Sequence, residues 1–238
     1  AREDQELREM VHRIMDWEAV RPLIRPQLLS CKENQRLLGR LVCKRLQDLA
    51  IVYAVQVGLQ NENGSIYVKR RLLEDWGISE EELHRQALNN MEADGYAIRS
   101  LSELLCEEMP VPAEEIGPFP AVLTNQRRLY GAAGILLGDM LKAYAEKMRT
   151  NFFLIPSSIH EFLLVPDDGK TAQDLLNLMV REVNETEVRE EDRLSDHVYY
   201  YDRETKRIEM EKKVPVKHVG EDGLIEGKSG EERLLGAV

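Results

Sequence analysis

NFFLIPSSIHEFLLVPDDG, residues Asn151–Gly169, places two apolar runs, Phe152–Ile155 and Phe162–Val165, on either side of a short polar interval, Pro156–Glu161. Runs of this length, rich in Phe, Ile, Leu and Val and bounded by proline, serine and glycine, read as strands. The interval between them is short enough to fold one strand back on the other. A hairpin with two such apolar arms is stable only when packed against other elements. Its turn also gathers two hydroxyls, an imidazole and a carboxylate: Ser157, Ser158, His160 and Glu161. No other stretch concentrates so many reactive side-chain types.

Upstream of the hairpin, Met140, Leu141, Tyr144, Ala145 and Met148 recur at helical spacing, and Leu129–Leu137 is an apolar, small-residue run that suits a strand or the start of a helix. Ala121–Thr124 reads as a short strand. Ser79 with Glu82 forms a capping-box pair, with Ile78 placed to staple onto Leu83. The helix so started is expected to run to about Ala93 with Leu83, Ala87, Leu88 and Met91 inward, and to stop at Asp94-Gly95. Leu49–Val57 is rich in β-branched residues and pairs with Ser65–Val68 across the turn signal Asn61–Gly64. Residues 20–30 hold two prolines four apart and read as an extended edge segment. Lys32–Leu46 has a helical pattern bent near Gly39, and residues 3–17 an amphipathic one.

Downstream, Pro166–Gly169 is a turn, and Thr171 with Asp174 repeats the capping spacing. The helix that follows is expected to bury Leu175, Leu176, Met179 and Val183. His197–Tyr201, a polar turn over Asp202–Lys206, and Arg207–Met210 predict a last hairpin. Hairpins and helices are mixed along the chain without regular βαβ alternation. The expected class is therefore α+β: a mixed, largely antiparallel sheet built from hairpins with packed amphipathic helices. Residues 1–216 are read as a single α+β domain, with a division into two halves near 107–120, a proline- and glutamate-rich stretch, as the alternative. Residues 217–238 are read as a disordered tail.

The 238 residues carry a formal net charge of -11. That field repels nucleic-acid backbone over most of a surface. Three cysteines, Cys31, Cys43 and Cys106, are odd in number and form no CxxC, which argues for reduced thiols and a cytoplasmic location and excludes a cysteine-rich zinc site. No run approaches the length of a membrane span, and Ala1–Met10 carries no apolar leader core.

Each constellation has a plain structural reading beside a chemical one. Ser157 or Ser158 with His160 and Glu161 would be a hydrolase-like nucleophile and base, but neighbours in one turn diverge and no GxSxG elbow is present. Turn hydrogen bonding explains them more simply. His160, Glu161, Asp167 and Asp168, and likewise Asp192, Asp196 and His197, lack the spacing of any metal motif. Gly131, Gly134 and Gly138 have neither the GxGxxG nor the P-loop spacing and read as close packing of small residues. Lys69-Arg70-Arg71 and Arg127-Arg128 are basic clusters without interleaved aromatics. Tyr199 and Tyr201 share one strand face, which suits either a core edge or a recognition surface.

The stretches LTNQRRLYGAAGILL, NFFLIPSSIHEFLLVPDDG, VREVNETEV and LSDHVYYYDRETKRI, in that order, with LQDLAIVYAVQV and LLEDWGISEEELHRQALNNM before them, resemble a family of uncharacterised bacterial proteins. That family is a domain of unknown function common in anaerobic Gram-positive bacteria. The similarity runs from about Trp17 to Met210. It implies an α+β fold and a cytoplasmic location, and it implies that members carry a further N-terminal segment. It implies no activity.

The sequence therefore predicts a soluble, acidic protein of unknown function, a binding or protein-interaction module rather than an enzyme. Its partner would be another protein or a small anionic ligand. The candidate binding residues are Arg127, Arg128, Tyr199 and Tyr201. The alternatives are a hydrolase-like enzyme centred on Ser157, Ser158, His160 and Glu161, and a nucleic-acid accessory protein. No metal and no cofactor is expected.

Overall fold

The computed structural model describes residues 9, 11–59, 62–108 and 120–213. Within them ten strands form two antiparallel sheets. The longest strand, β3 (Leu49–Leu59), organises the first sheet. One of its edges pairs along its length with β1 (Ile24–Ser30), from Ile24 opposite Val55 to Ser30 opposite Leu49. The other edge is shared, β2 (Cys43–Leu46) taking its first half and β4 (Glu62–Tyr67) its second. Val52, Tyr53, Ala54 and Val55 are all buried, so both faces of β3 are covered, and its near-continuous apolar sequence follows from that. β1 is an edge strand, which lets it carry Pro26 without losing a ladder bond.

The second sheet has the order β10 (Arg207–Glu209), β9 (Tyr199–Asp202), β7 (Phe152–Ser158), β8 (Glu161–Pro166), β6 (Ala121–Thr124), β5 (Ala97–Ser100). The Phe152–Val165 hairpin forms its centre. Phe152 pairs with Pro166 and Leu154 with Leu164, and the register slips by one between Pro156 and Ser158. Phe152, Leu154, Phe162, Leu164, Leu123, Tyr199 and Tyr201 point to one face. There they meet Ile24, Leu28, Ile51, Tyr53 and Val55 of the first sheet in a single core. Phe152 stacks on Tyr201 with centroids 4.8 Å apart, a pairing worth about 0.5–1.5 kcal/mol beyond its buried area.

Residues 11–15 are helical, and seven further α-helices lie around the sheets among the described residues: α1 (Trp17–Val20), α2 (Gln35–Leu38), α3 (Arg70–Trp76), α4 (Glu80–Met91), α5 (Leu101–Glu108), α6 (Gly138–Met148) and α7 (Gln173–Thr186). The capping reading at Ser79 is correct: its side chain accepts the Glu82 N–H at 3.1 Å, and Leu83, Ala87 and Met91 form the buried row of α4. Gly77, at φ 67°, ends α3 in the left-handed conformation that glycine adopts without a Cβ clash.

Several elements differ from the sequence reading. Lys32–Leu46 is one turn of helix, α2, followed by strand β2, because Cys43–Leu46 completes the edge of β3. Leu129–Leu137 is a 3-10 helix over Gly131–Leu136 wedged between the sheets. β5 had no counterpart in the reading, and β4 begins at Glu62 rather than Ser65. Thr171 does not cap α7. Asp168 holds the preceding turn instead, accepting the Lys170 and Thr171 N–H groups at 2.8 and 2.7 Å.

The larger correction concerns the face that α7 buries. Leu175, Met179 and Val183 are exposed at 56%, 54% and 48%, with Leu178 beside them at 58%; of the four residues read as buried, only Leu176 packs inward, together with Val180. The helix is held by a carboxamide row. Gln173 donates to the carbonyls of Val198 and Met210, Asn177 accepts the Val198 N–H at 2.8 Å, and buried Asn184 donates to Ser195 O at 2.9 Å. Unpaired backbone groups beside β9 are satisfied this way, and that requirement outranks the apolar stripe. The N-terminal part of the helix expected over 3–17, the 107–120 stretch apart from its two ends, and the tail beyond 216 lie outside the described residues.

Candidate functional site

The second sheet has one face in the core and one face turned outward. α7 covers only part of the outer face, over Phe153, Val198 and Tyr200. Among the described residues, the part made by β5, β6 and β8 forms a cleft of about 570 Å³, rimmed by Leu101 and Leu104 of α5. Strand alternation sets its floor. Ala97 lies opposite Thr124, Arg99 opposite Val122, and Val122 opposite Leu163, so these side chains share the outer face. Glu161 joins them two residues from Leu163. The register slip at Ser157 sets its hydroxyl on the same side, where it donates to Glu161 Oε1 at 3.2 Å. Arg128, Asn125, Gln126 and Gly95 complete the wall.

The loop at the mouth of the cleft is tightly fixed. Asn125 donates to Leu129 O at 2.8 Å and accepts the Leu129 N–H at 3.2 Å. Arg128 and Tyr130 both adopt positive φ, 52° and 54°. Gly131 follows, and no larger residue fits: a Cβ there would lie 2.2 Å from Thr124 Oγ1 and 2.6 Å from His160 O. Gly134 is comparably crowded by Leu123 and Tyr96, while Gly138 faces open space. The small-residue reading thus describes the first two glycines and not the third.

His160 anchors this loop from beneath. The Tyr130 N–H donates to its Nδ1 at 3.0 Å, so the ring proton sits on Nε2, which faces Asp192 Oδ1 at 3.4 Å. Asp192 is held in turn by Arg189, with Nη2 at 2.7 Å from Oδ2. The His160 carbonyl accepts from Thr124 Oγ1 at 2.8 Å, and its N–H donates to Ser158 Oγ at 3.1 Å. The four residues of the turn are therefore close together, but these bonds join neither serine hydroxyl to the imidazole. Ser157 and Glu161 look into the cleft, and His160 looks towards the backbone.

The sequence pair Arg127-Arg128 is split. Arg128 lines the outer cleft, while Arg127 reaches the first sheet and donates to Gln56 Oε1 at 3.2 Å. Tyr199 and Tyr201 lie in the core at 1% and 2% exposure and not beside the arginines. Tyr199 donates to Asp48, in the turn between β2 and β3. Burial first, and then that carboxylate, raise the Tyr199 hydroxyl far above its ordinary value, so it remains a donor. Arg70 of the other basic cluster pairs with Glu80 at 2.7 Å. Among the described residues no group of three or more His, Cys, Asp or Glu side chains is placed to hold a metal ion, and no helix is long and apolar enough to cross a membrane.

Arg99, Thr124 and Asn125 are cleft residues that the sequence reading missed. The sequence offered little signal here: Ala97 stands beside Arg99 on one face and Ser100 beside Ile98 on the other, so polarity does not alternate cleanly along the strand.

These features define an α+β protein with an open cleft of mixed polar and apolar lining on the outer face of an antiparallel sheet. The chain belongs to a family of unknown function, DUF5688, whose model matches residues 1–203 and so begins earlier than the resemblance noted from Trp17. No curated protein matches it. No solved structure matches it either.

Proposed function

We propose that this protein is a binding module whose outer-sheet cleft takes a small organic anion. The supporting observation is local charge. Among the described residues that line the cleft, Arg99 and Arg128 are cationic and Glu161 is anionic, an excess of one positive charge in a chain of net charge -11. Guanidinium groups suit carboxylate and phosphate oxygens, and Leu101, Leu104, Val122 and Leu163 offer an apolar wall to the rest of a ligand. The reading places the protein in the bacterial cytoplasm, in keeping with free Cys31 and Cys43.

Calorimetric titration with benzoate tests it. Saturable binding is expected, weakened by about tenfold in Arg128→Gln, the weight of one charge-assisted hydrogen bond. Glu161→Gln removes the opposing carboxylate and is expected to tighten binding. Absence of saturable binding to the wild-type protein, or equal affinity in all three proteins, overturns the reading.

A second reading is favoured by one observation. The outward stripe Leu175, Leu178, Met179 and Val183 on α7 is the kind of contiguous apolar surface that docks a protein partner. Its test is Leu178→Glu. Loss of a partner's binding with the melting temperature unchanged supports it, and retained binding removes it.

A further inference from the structure

The loop carrying Arg127 and Arg128 borders a second cavity, of about 210 Å³, on the first sheet. Its lining includes Gln27, Gln56, Ser65, Arg127 and Tyr130. Register shows how the polar groups converge. Gln27 lies opposite Val52 and Gln56 opposite Ser65, and Val52 and Gln56 are four residues apart on β3, so all four side chains share one face of the sheet. Gln27 is the unusual member. It is 0% exposed, and neither its Nε2 nor its Oε1 has a hydrogen-bond partner. A buried carboxamide with both ends unmet is costly, and a polar side chain in that position calls for a partner that protein atoms do not supply. Towards the β2 end the same face is apolar, made by Leu29, Ala50 and Val52 with Leu41, so a leucine at position 27 would continue that surface.

We propose that this cavity is a second ligand site, distinct from the outer-sheet cleft, for a small molecule bearing an amide beside a carboxylate. A primary amide meets the Gln27 carboxamide donor to acceptor and acceptor to donor, an arrangement that serves both of its ends at once. The carboxylate lies towards Arg127, which already spans the cavity to Gln56 Oε1 at 3.2 Å. Tyr130 closes one side, next to the backbone N–H that His160 holds. This inference stands apart from the anion reading of the cleft, because Arg127 serves one cavity and Arg128 the other.

The experiment is a titration of isotopically labelled protein with malonamate, whose primary amide presents an N–H and its carbonyl side by side, followed through the Gln27 side-chain amide and the Tyr130 backbone amide resonances, the latter reporting in Gln27→Leu. Saturable movement of those resonances is expected, with affinity reduced by about tenfold in Gln27→Leu and in Arg127→Gln, and unchanged in Arg128→Gln. Gln27→Leu is expected to fold and to melt no lower than the wild type, since it removes an unmet polar group and keeps the volume. Failure of that variant to fold overturns the proposal, because it shows that Gln27 has structural partners. Still Gln27 resonances at saturating probe overturn it too, as does undiminished binding in Arg127→Gln; either leaves the cavity to water alone. Weakening by Arg128→Gln but not by Arg127→Gln assigns the probe to the outer-sheet cleft and overturns this site while supporting the first.

Discussion

Gly131 shows how much one residue decides here. It sits where the Asn125–Tyr130 loop passes under the His160 carbonyl, and even a methyl group would meet Thr124 Oγ1, His160 O and Asn125 N within 2.8 Å. Two of those neighbours are backbone atoms and cannot swing aside. Gly131→Ala is therefore expected to cost about 3 kcal/mol or more in denaturant unfolding, at the top of the range for overpacking. Gly138→Ala, which meets nothing within 4 Å and starts α6, is expected to be neutral or stabilising by about 0.5 kcal/mol. The YGAAGILLGDM pattern made small-residue packing legible, but not which glycine is indispensable. That depends on a carbonyl 29 residues away in sequence. Asp167 is the corresponding case for charge. Burial alone would raise its carboxyl, but bonds from Lys212 Nζ at 2.6 Å, Tyr200 OH at 2.7 Å and the Gly169 N–H together outweigh burial and hold it below its ordinary value of 3.8. A lowered native value means the unfolded chain binds more protons, so this contribution is complete above pH 3.8 and is lost as pH falls through the native value. Lys212→Met is expected to lower stability at neutral pH and to flatten the acid limb of a pH–stability curve; an unchanged acid limb counts against the assignment.

At the scale of elements, α7 separates pattern from placement. Its amphipathic spacing was plain in the sequence, and helix formation followed from it. Periodicity identifies a stripe but cannot say which side of the helix meets the protein. Here the inward side is chosen by Gln173, Asn177 and Asn184, whose carboxamides complete the backbone bonding of Val198, Met210 and Ser195. Asn184→Ala should cost about 1–3 kcal/mol, since it strips a buried carbonyl of its donor. Leu178→Lys should change stability by no more than about 0.5 kcal/mol. Thermal unfolding of the pair checks both, and the reverse ranking would restore the apolar stripe as the buried face. The central hairpin β7–β8 was legible because both of its arms are apolar on alternate faces, between two layers. β5 was not, because Ala97–Ser100 is short, half-buried and paired to a strand 24 residues on.

For the whole molecule, the two sheets share one core and are latched at their edges. At one end the β2–β3 turn reaches the second sheet. Gln47 donates to Ile208 O at 3.1 Å, and Asp48 accepts from Tyr199 and from Ser195 Oγ. Near the other end of β1, Arg25 pairs with Asp94 at 2.6 Å beside the strand that opens the cleft. The two sheets are therefore expected to unfold in one transition. Tyr199→Phe should weaken it by about 1 kcal/mol without splitting it. Two resolved transitions in calorimetry would instead assign each sheet its own stability. The antiparallel α+β class followed from the hairpins in the sequence, whereas the cleft did not. It arises because α7 covers only part of an outer face whose strands come from three separate stretches.

The most direct test of the ligand-binding account is chemical-shift mapping of a benzoate titration on the labelled protein. The account predicts saturable shifts centred on Arg99, Val122, Thr124, Glu161 and Leu163, with the α7 stripe unmoved. Shifts absent from these residues, or scattered over the surface without saturation, would contradict it.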